Sequence, residues 1–179
     1  MGDPLALVRP DVDLRDAWLA HYSAWPAGSH LDAAGLREGD DPGSEQGFAT
    51  WVAKLRACAD PEKALPPGQV VRSTYSWITQ GGAVLGSAEL RHDIGHPLLL
   101  DAGGHIGYGV RPDYRGRGIA KWALAATLDQ ARSRNMDRVL LTCSPENTAS
   151  AHIIEKAGGV LEDVRETVIG PKRRYWIEL

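Results

Sequence analysis

The chain is 179 residues long, 43% apolar and 24% charged, a mix that folds around a core and excludes a disordered chain. Twenty Lys and Arg against 23 Asp and Glu leave a formal charge of −3, which argues against a nonspecific grip on a nucleic-acid backbone. Two cysteines, Cys58 and Cys143, cannot build a disulfide framework or a four-ligand zinc site, no apolar run reaches the roughly 18–20 residues that span a membrane, and the first residues lack a secretory pattern. The expectations are one domain over residues 1–179, a reducing cytoplasm, and no metal, nucleic-acid or membrane partner.

Leu5–Val8 reads as a short strand stopped by Arg9-Pro10, after which Asp11 or Asp13 caps a helix through Tyr22. Pro26–Gly47, rich in Gly, Asp and Ser, reads as a long irregular loop, and loops of that length are usually functional. Helical spacing resumes at Phe48, Trp51, Val52 and Leu55 and closes at Asp60-Pro61. The period then changes. Val70–Thr79 and Ala83–Arg91 read as a hairpin around Gln80-Gly81-Gly82, followed by a loop over Asp93–Gly104. His105–Arg111 reads as a strand, Arg117–Arg132 as an amphipathic helix, Val139–Cys143 as a buried strand and Asn147–Lys156 as a helix ended by Gly158-Gly159. Val164–Val168 and Arg174–Leu179 read as final strands. This order specifies an α/β domain with a mixed sheet.

The chemistry concentrates in Val110-Arg-Pro-Asp-Tyr-Arg-Gly-Arg-Gly-Ile-Ala120, where a strand ends, a turn carries Gly116 and Gly118, and a helix begins. The first N–H groups of a helix have no internal partner and sit at the positive end of its dipole. Glycines let that backbone approach an anion, and Arg115 and Arg117 add positive charge, so the turn suits a phosphate or pyrophosphate. The P-loop string is absent. The dinucleotide fingerprint fails because Lys121 stands where its third glycine belongs.

Arg115-x-x-Gly118-x-Ala120, led by Val110-Arg111-Pro112, resembles the acyl-CoA-binding signature of the GNAT superfamily of N-acyltransferases. Asn147 through Ser150, Glu155-Lys156 and Gly158-Gly159, about thirty residues on, is similar to that family's second signature. Leu90-Arg91-His92, Gly103 through Tyr108, Thr142-Cys143, Gly158 through Glu162 and Arg174 through Ile177 resemble a bacterial subgroup of predicted acetyltransferases. The resemblance implies a single GNAT-like domain with a mixed, mostly antiparallel sheet, a splayed parallel strand pair and flanking helices. It implies that the backbone of Arg115, Gly116, Arg117, Gly118, Ile119 and Ala120 holds the CoA pyrophosphate. The strand end at Val110 and Arg111 pairs with the pantetheine arm, and Asn147, Ser150 and Lys156 lie on the cofactor side. Acetyl-CoA is then the acyl donor and an amine-bearing molecule the acceptor, with a homodimer left open.

Acyl transfer to an amine needs a neutral amine, a stabilised oxyanion and a leaving thiolate. A backbone N–H at the end of the Val110 strand can serve the oxyanion. Relatives place a tyrosine acid where this chain has Ile154, so Tyr108 is the substitute considered, against plain packing in the sheet. For the base, His105 is the expected residue, since a histidine's reference pKa lies near neutrality, and Glu89 on the hairpin strand is the alternative. Cys143 reads as core rather than as an acyl carrier, and Trp25 beside the long loop as a candidate pocket wall. Two further readings stand beside the enzyme: a GNAT-like domain that binds or senses acyl-CoA without turnover, and a phosphate site for another nucleotide.

Overall fold

The computed structural model describes residues 3–179. β1 (Ala6–Val8) is followed by one 3₁₀ turn at Val12–Leu14 and by α1 (Arg15–Ser23); Asp11 accepts the Asp13 N–H at 3.0 Å and so caps that turn. α2 (Glu45–Cys58) starts two residues before the expected end of the long loop, because the Ser44 hydroxyl accepts the Gly47 N–H. β2 (Ser73–Gln80) and β3 (Ala83–Arg91) form the hairpin, with Gly81-Gly82 alone as its turn. β4 (Ile106–Val110), α3 (Ile119–Ser133), β5 (Arg138–Cys143) and α4 (Thr148–Lys156) follow as the periodicity predicts.

Two expectations are corrected. The loop after β3 contains one π-helical turn, Leu99–Gly103, with Leu99 and Ala102 buried. β6 spans Val160–Arg165, starting directly after the glycine pair and ending before Val168; β7 is Lys172–Glu178. The mostly antiparallel arrangement that was expected is built as two antiparallel sheets, β1-β2-β3-β4 and β5-β7-β6.

These sheets meet at one seam. The His105 N–H donates to the Leu140 carbonyl at 2.7 Å, and the Leu140 N–H donates to His105 Nδ1 at 2.8 Å. Among the described residues no ladder continues from β4 to β5, so a gap opens beyond the seam. Gly104 makes the approach feasible. Its backbone lies at φ 65, ψ −172, a region open to glycine, and a Cβ there would stand 2.5 Å from the Leu140 carbonyl oxygen.

Helices cover both faces. Trp18 of α1 and Phe48, Trp51 and Leu55 of α2 pack with Tyr75 and Trp77 on one side. Leu124 and Leu128 of α3 and Ile154 of α4 pack with Leu90, Ile106, Leu141 and Tyr175 on the other. Arg174, 2% exposed, ties β7 to β6 through Glu162 (2.8 Å) and reaches the Asp101 carbonyl (3.2 Å), so its buried charge is fully partnered. No helix among the described residues is long and apolar enough to cross a membrane.

Candidate active site

The gap beyond the seam is a cleft of about 580 Å³, the size of small-molecule sites. Its floor is Tyr108, Gly109 and Val110 of β4. One end is the turn from Arg115 into α3, and one wall is Asn147, Ser150, His152 and Ile153 of α4. Trp25 and Asp32, from the connection between α1 and α2, form the opposite wall.

At the turn, Gly116 (φ 75) and Gly118 (φ 77) are left-handed, and a Cβ on either would meet nothing within 4 Å. Backbone conformation, not crowding, requires glycine at both, and the space above them stays open for a ligand. The first helical bond of α3 is from the Trp122 N–H to the Gly118 carbonyl, 3.0 Å, so the N–H groups of Ile119, Ala120 and Lys121 precede it. Gly118 offers no side-chain cap. Arg115 stays at the cleft, its Nε donating to the Val110 carbonyl (3.1 Å) and its guanidinium 5.3 Å from the Trp25 ring centre. Arg111 and Arg117 lie outside the lining: Arg111 forms a two-pronged pair with Asp113 at 2.7 Å, and Arg117 donates to the Asp113 carbonyl at 3.1 Å.

The backbone of β4 is polarised across its two edges. The Arg111 N–H donates to the Leu85 carbonyl at 2.8 Å, and Gly86 is in register with Val110. Alternation in an antiparallel ladder then turns the N–H groups of Tyr108 and Val110 away from β3, into the cleft. The Arg115 bond to the Val110 carbonyl, made on that same edge, agrees. The Tyr108 hydroxyl is 2.9 Å from Ser150 Oγ, and burial pushes its pKa up, so the phenol stays protonated near neutral pH. Asn147 caps α4, its Oδ1 accepting the Ser150 N–H at 3.0 Å, which fixes Ser150 in the wall.

The remaining sequence candidates lie elsewhere. His105 is 8% exposed at the seam and outside the cleft lining, and burial pulls its pKa down to about 4. Its Nδ1 lone pair already accepts the Leu140 N–H, so in the neutral ring the proton sits on Nε2 and no nitrogen is free to act as a base. The expected base is a brace between strands. Glu89 is 4% exposed and accepts from Arg91 Nη2 at 2.6 Å, while Arg91 also holds the Gly103 and Gly104 carbonyls. That pair stiffens β3 against the seam and does not line the cleft. Lys156 is exposed in the last turn of α4, away from the lining. Cys58 and Cys143 are buried outside it, with burial raising both thiols. Sequence reasoning missed Asp32 and His152. Asp32 falls in the irregular loop, where no local pattern marks which residue will meet β4.

A family model described as the GNAT acetyltransferase domain matches residues 12–160. The chain belongs to the GNAT acetyltransferase family. It is 31% identical over 74 residues to an uncharacterised N-acetyltransferase, YnaD, of Bacillus subtilis strain 168; the match covers 41% of this chain and 44% of that protein. The GNAT fold recurs in solved structures. RimL, a ribosomal L7/L12 α-N-protein acetyltransferase in complex with coenzyme A, superposes with a TM-score of 0.70 at 15% identity over 100% of this chain and 98% of that one. The Salmonella typhimurium acetyltransferase that modifies the N-terminal serine of L7/L12 gives 0.67 at 16% identity over 100% and 99%. The microcin C7 self-immunity acetyltransferase MccE, in complex with acetyl-CoA and AMP, gives 0.66 at 14% identity over 99% and 93%. Within this GNAT chain, Ile154 is 1% exposed and belongs to the core; among the described residues two phenols line the cleft, Tyr108 and Tyr114, and Tyr108 is the one held against the α4 wall by Ser150.

Proposed function

We propose that the protein is an N-acetyltransferase that moves an acetyl group from acetyl-CoA to a primary amine by direct attack. The observation that carries this reading is the cleft itself, with an open glycine-bearing helix start at one end and unpaired β4 N–H groups along its floor. The N–H groups of residues 115–120 bind the pyrophosphate, with the α3 dipole behind them and the Arg115 charge beside them. The inward N–H groups of Tyr108 and Val110 give one donor to the pantetheine arm and one to the oxyanion, where a single such donor is typically worth about 10²–10³ in rate. Ser150 orients the Tyr108 hydroxyl, and Tyr108 returns a proton to the leaving thiolate. A thiol with a reference pKa of about 8.5 leaves readily, so a weak acid suffices. Direct transfer suits the buried, high-pKa state of both cysteines.

The acceptor is tested by free-thiol release from acetyl-CoA with a panel of amines: a peptide with a free N-terminal serine, a polyamine, an aminoglycoside and free amino acids. Turnover with at least one amine, giving the N-acetyl product by mass spectrometry, is the expected result. Tight CoA binding without turnover would favour a sensing domain, and a preference for ATP or NAD over CoA would contradict the reading.

A further inference from the structure

Asp32 is the single carboxylate among the described residues that line the cleft. Its position is built from both sides. β4 presents glycine at 107 and 109, the two residues whose side-chain direction faces the α1–α2 connection. A Cβ at position 109 would stand 3.0 Å from the Asp32 carbonyl oxygen and 3.2 Å from Asp32 Cβ, and one at position 107 would stand 3.6 Å from Ala33 Cβ. The strand is therefore bare where Asp32 and Ala33 lie on it. Ala33 holds φ 60, one of two non-glycine residues at positive φ among the described residues. Such conformations persist where surrounding structure imposes them, often at functional sites.

Successive residues of β4 face opposite sides. Tyr108 points to the α4 side, where it meets Ser150, so Asp32 and the Tyr108–Ser150 pair flank the strand whose free N–H groups line the floor. The charges facing Asp32 are His30, with Nε2 3.7 Å from its carboxylate, and Arg115 and Lys172, which pull its pKa down; Tyr108 is the other titratable group nearby. Burial outweighs these cations and raises the pKa, although about two-thirds of the side chain remains accessible at the cleft mouth (66%). The carboxylate is thus reachable from solvent, with His30 Nε2 3.7 Å away.

We infer that Asp32 receives the acceptor's ammonium group and takes its proton, in the acetyl transfer proposed above, on which this inference rests. One proton passes from the ammonium nitrogen to the carboxylate and then to solvent. The freed lone pair forms the C–N bond at the thioester carbonyl, the C–S bond breaks with its electron pair on sulfur, and the second nitrogen proton ends on that sulfur. The products are the N-acetyl amide, the CoA thiol and one proton.

The test uses the full chain, acetyl-CoA and a tripeptide amide with a free N-terminal serine. In Asp32→Asn, kcat/KM by thiol release falls by about 10²–10⁴, the range for a positioned base, while Asp32→Glu recovers part of it. The acetyl-CoA Kd by calorimetry stays within about threefold, because the proposed cofactor contacts are backbone groups of the turn. In the CoA-bound wild type, the ¹³C carboxyl resonance that disappears in Asp32→Asn shifts when the tripeptide is added. A substituted enzyme with wild-type kcat/KM would overturn the inference and leave the transfer reading standing. So would a resonance indifferent to the peptide, or a loss of CoA affinity as large as the loss of turnover. A shifting resonance in a wild type that releases no thiol with the tripeptide or with any amine of the panel would support the ammonium site and reject the transfer reading.

Discussion

Gly104→Ala is expected to lower the free energy of unfolding by about 2–6 kcal/mol, backbone strain plus either a clash or the cost of relieving it. An L-residue at φ 65 with ψ near 180° sits in a region that costs about 1–3 kcal/mol. Its Cβ would press on backbone that cannot swing aside, 2.5 Å from the Leu140 oxygen, 3.1 Å from the Leu140 carbonyl carbon and 3.3 Å from Leu141 Cα, and overpacking of that kind costs about 1–3 kcal/mol. Relief by moving β5 away breaks the two His105–Leu140 bonds, at about 0.5–1.5 kcal/mol each. Urea unfolding measures the sum. Because the seam sets where the two sheets part, acetyl-CoA binding should weaken in the same variant. A change under about 1 kcal/mol would show that the seam is softer than its geometry implies.

The second large effect is acid destabilisation well above the carboxylate range. His21, 1% exposed with Nδ1 lacking a partner, His105 and His92 are each lowered to about 4, in every case chiefly by burial. Their folded pKa values lie below the reference of 6.5, so the native state favours the neutral rings. Above pH 6.5 both states are neutral and stability is full. As pH falls from 6.5 toward 4, the unfolded chain binds up to three protons that the native chain refuses, and stability falls with a slope approaching about 4 kcal/mol per pH unit. The exposed carboxyls of Asp11, Asp41 and Asp113 are held below their usual range by hydrogen bonds, and their contribution disappears only at still lower pH. Urea midpoints at pH 7.5, 6.0 and 5.0 should drop steeply between the last two. A flat profile from pH 7 to 5 would mean that these rings gain protons in place. His21→Phe, which keeps a ring without the titrating nitrogen, should reduce the slope.

The parts of the fold that were legible in the sequence are those whose signal is local. α3 carries its own apolar stripe, the β2–β3 hairpin its glycine turn, and β5 its continuous apolar run, and each forms within a residue or two of expectation at most ends. β6 was not legible because it is a sheet-edge strand. Val160, Leu161 and Val164 are 70%, 48% and 55% exposed, so no alternation separates a buried from a solvated face. The glycine-bearing turn at one end of the cleft was readable for a related reason: a helix start with left-handed glycines is a local device. The catalytic end depends on which distant segments meet. His105 has the right chemistry and the wrong hydrogen bonding, since its lone pair is spent on Leu140. Asp32 becomes a candidate only because two glycines of β4, more than seventy residues later, leave room for it.

The most direct measurement is calorimetric titration of acetyl-CoA into the wild type and Gly118→Glu, with Gly118→Ala as the control for backbone strain at φ 77. The alanine variant isolates the left-handed penalty, and the glutamate adds a side chain and a negative charge at the proposed pyrophosphate site. Affinity should fall by at least one to two orders of magnitude from Gly118→Ala to Gly118→Glu, about 1.4 kcal/mol for each tenfold, with both variants folded by circular dichroism. Equal acetyl-CoA affinity in all three folded proteins would contradict placement of the donor at this helix start.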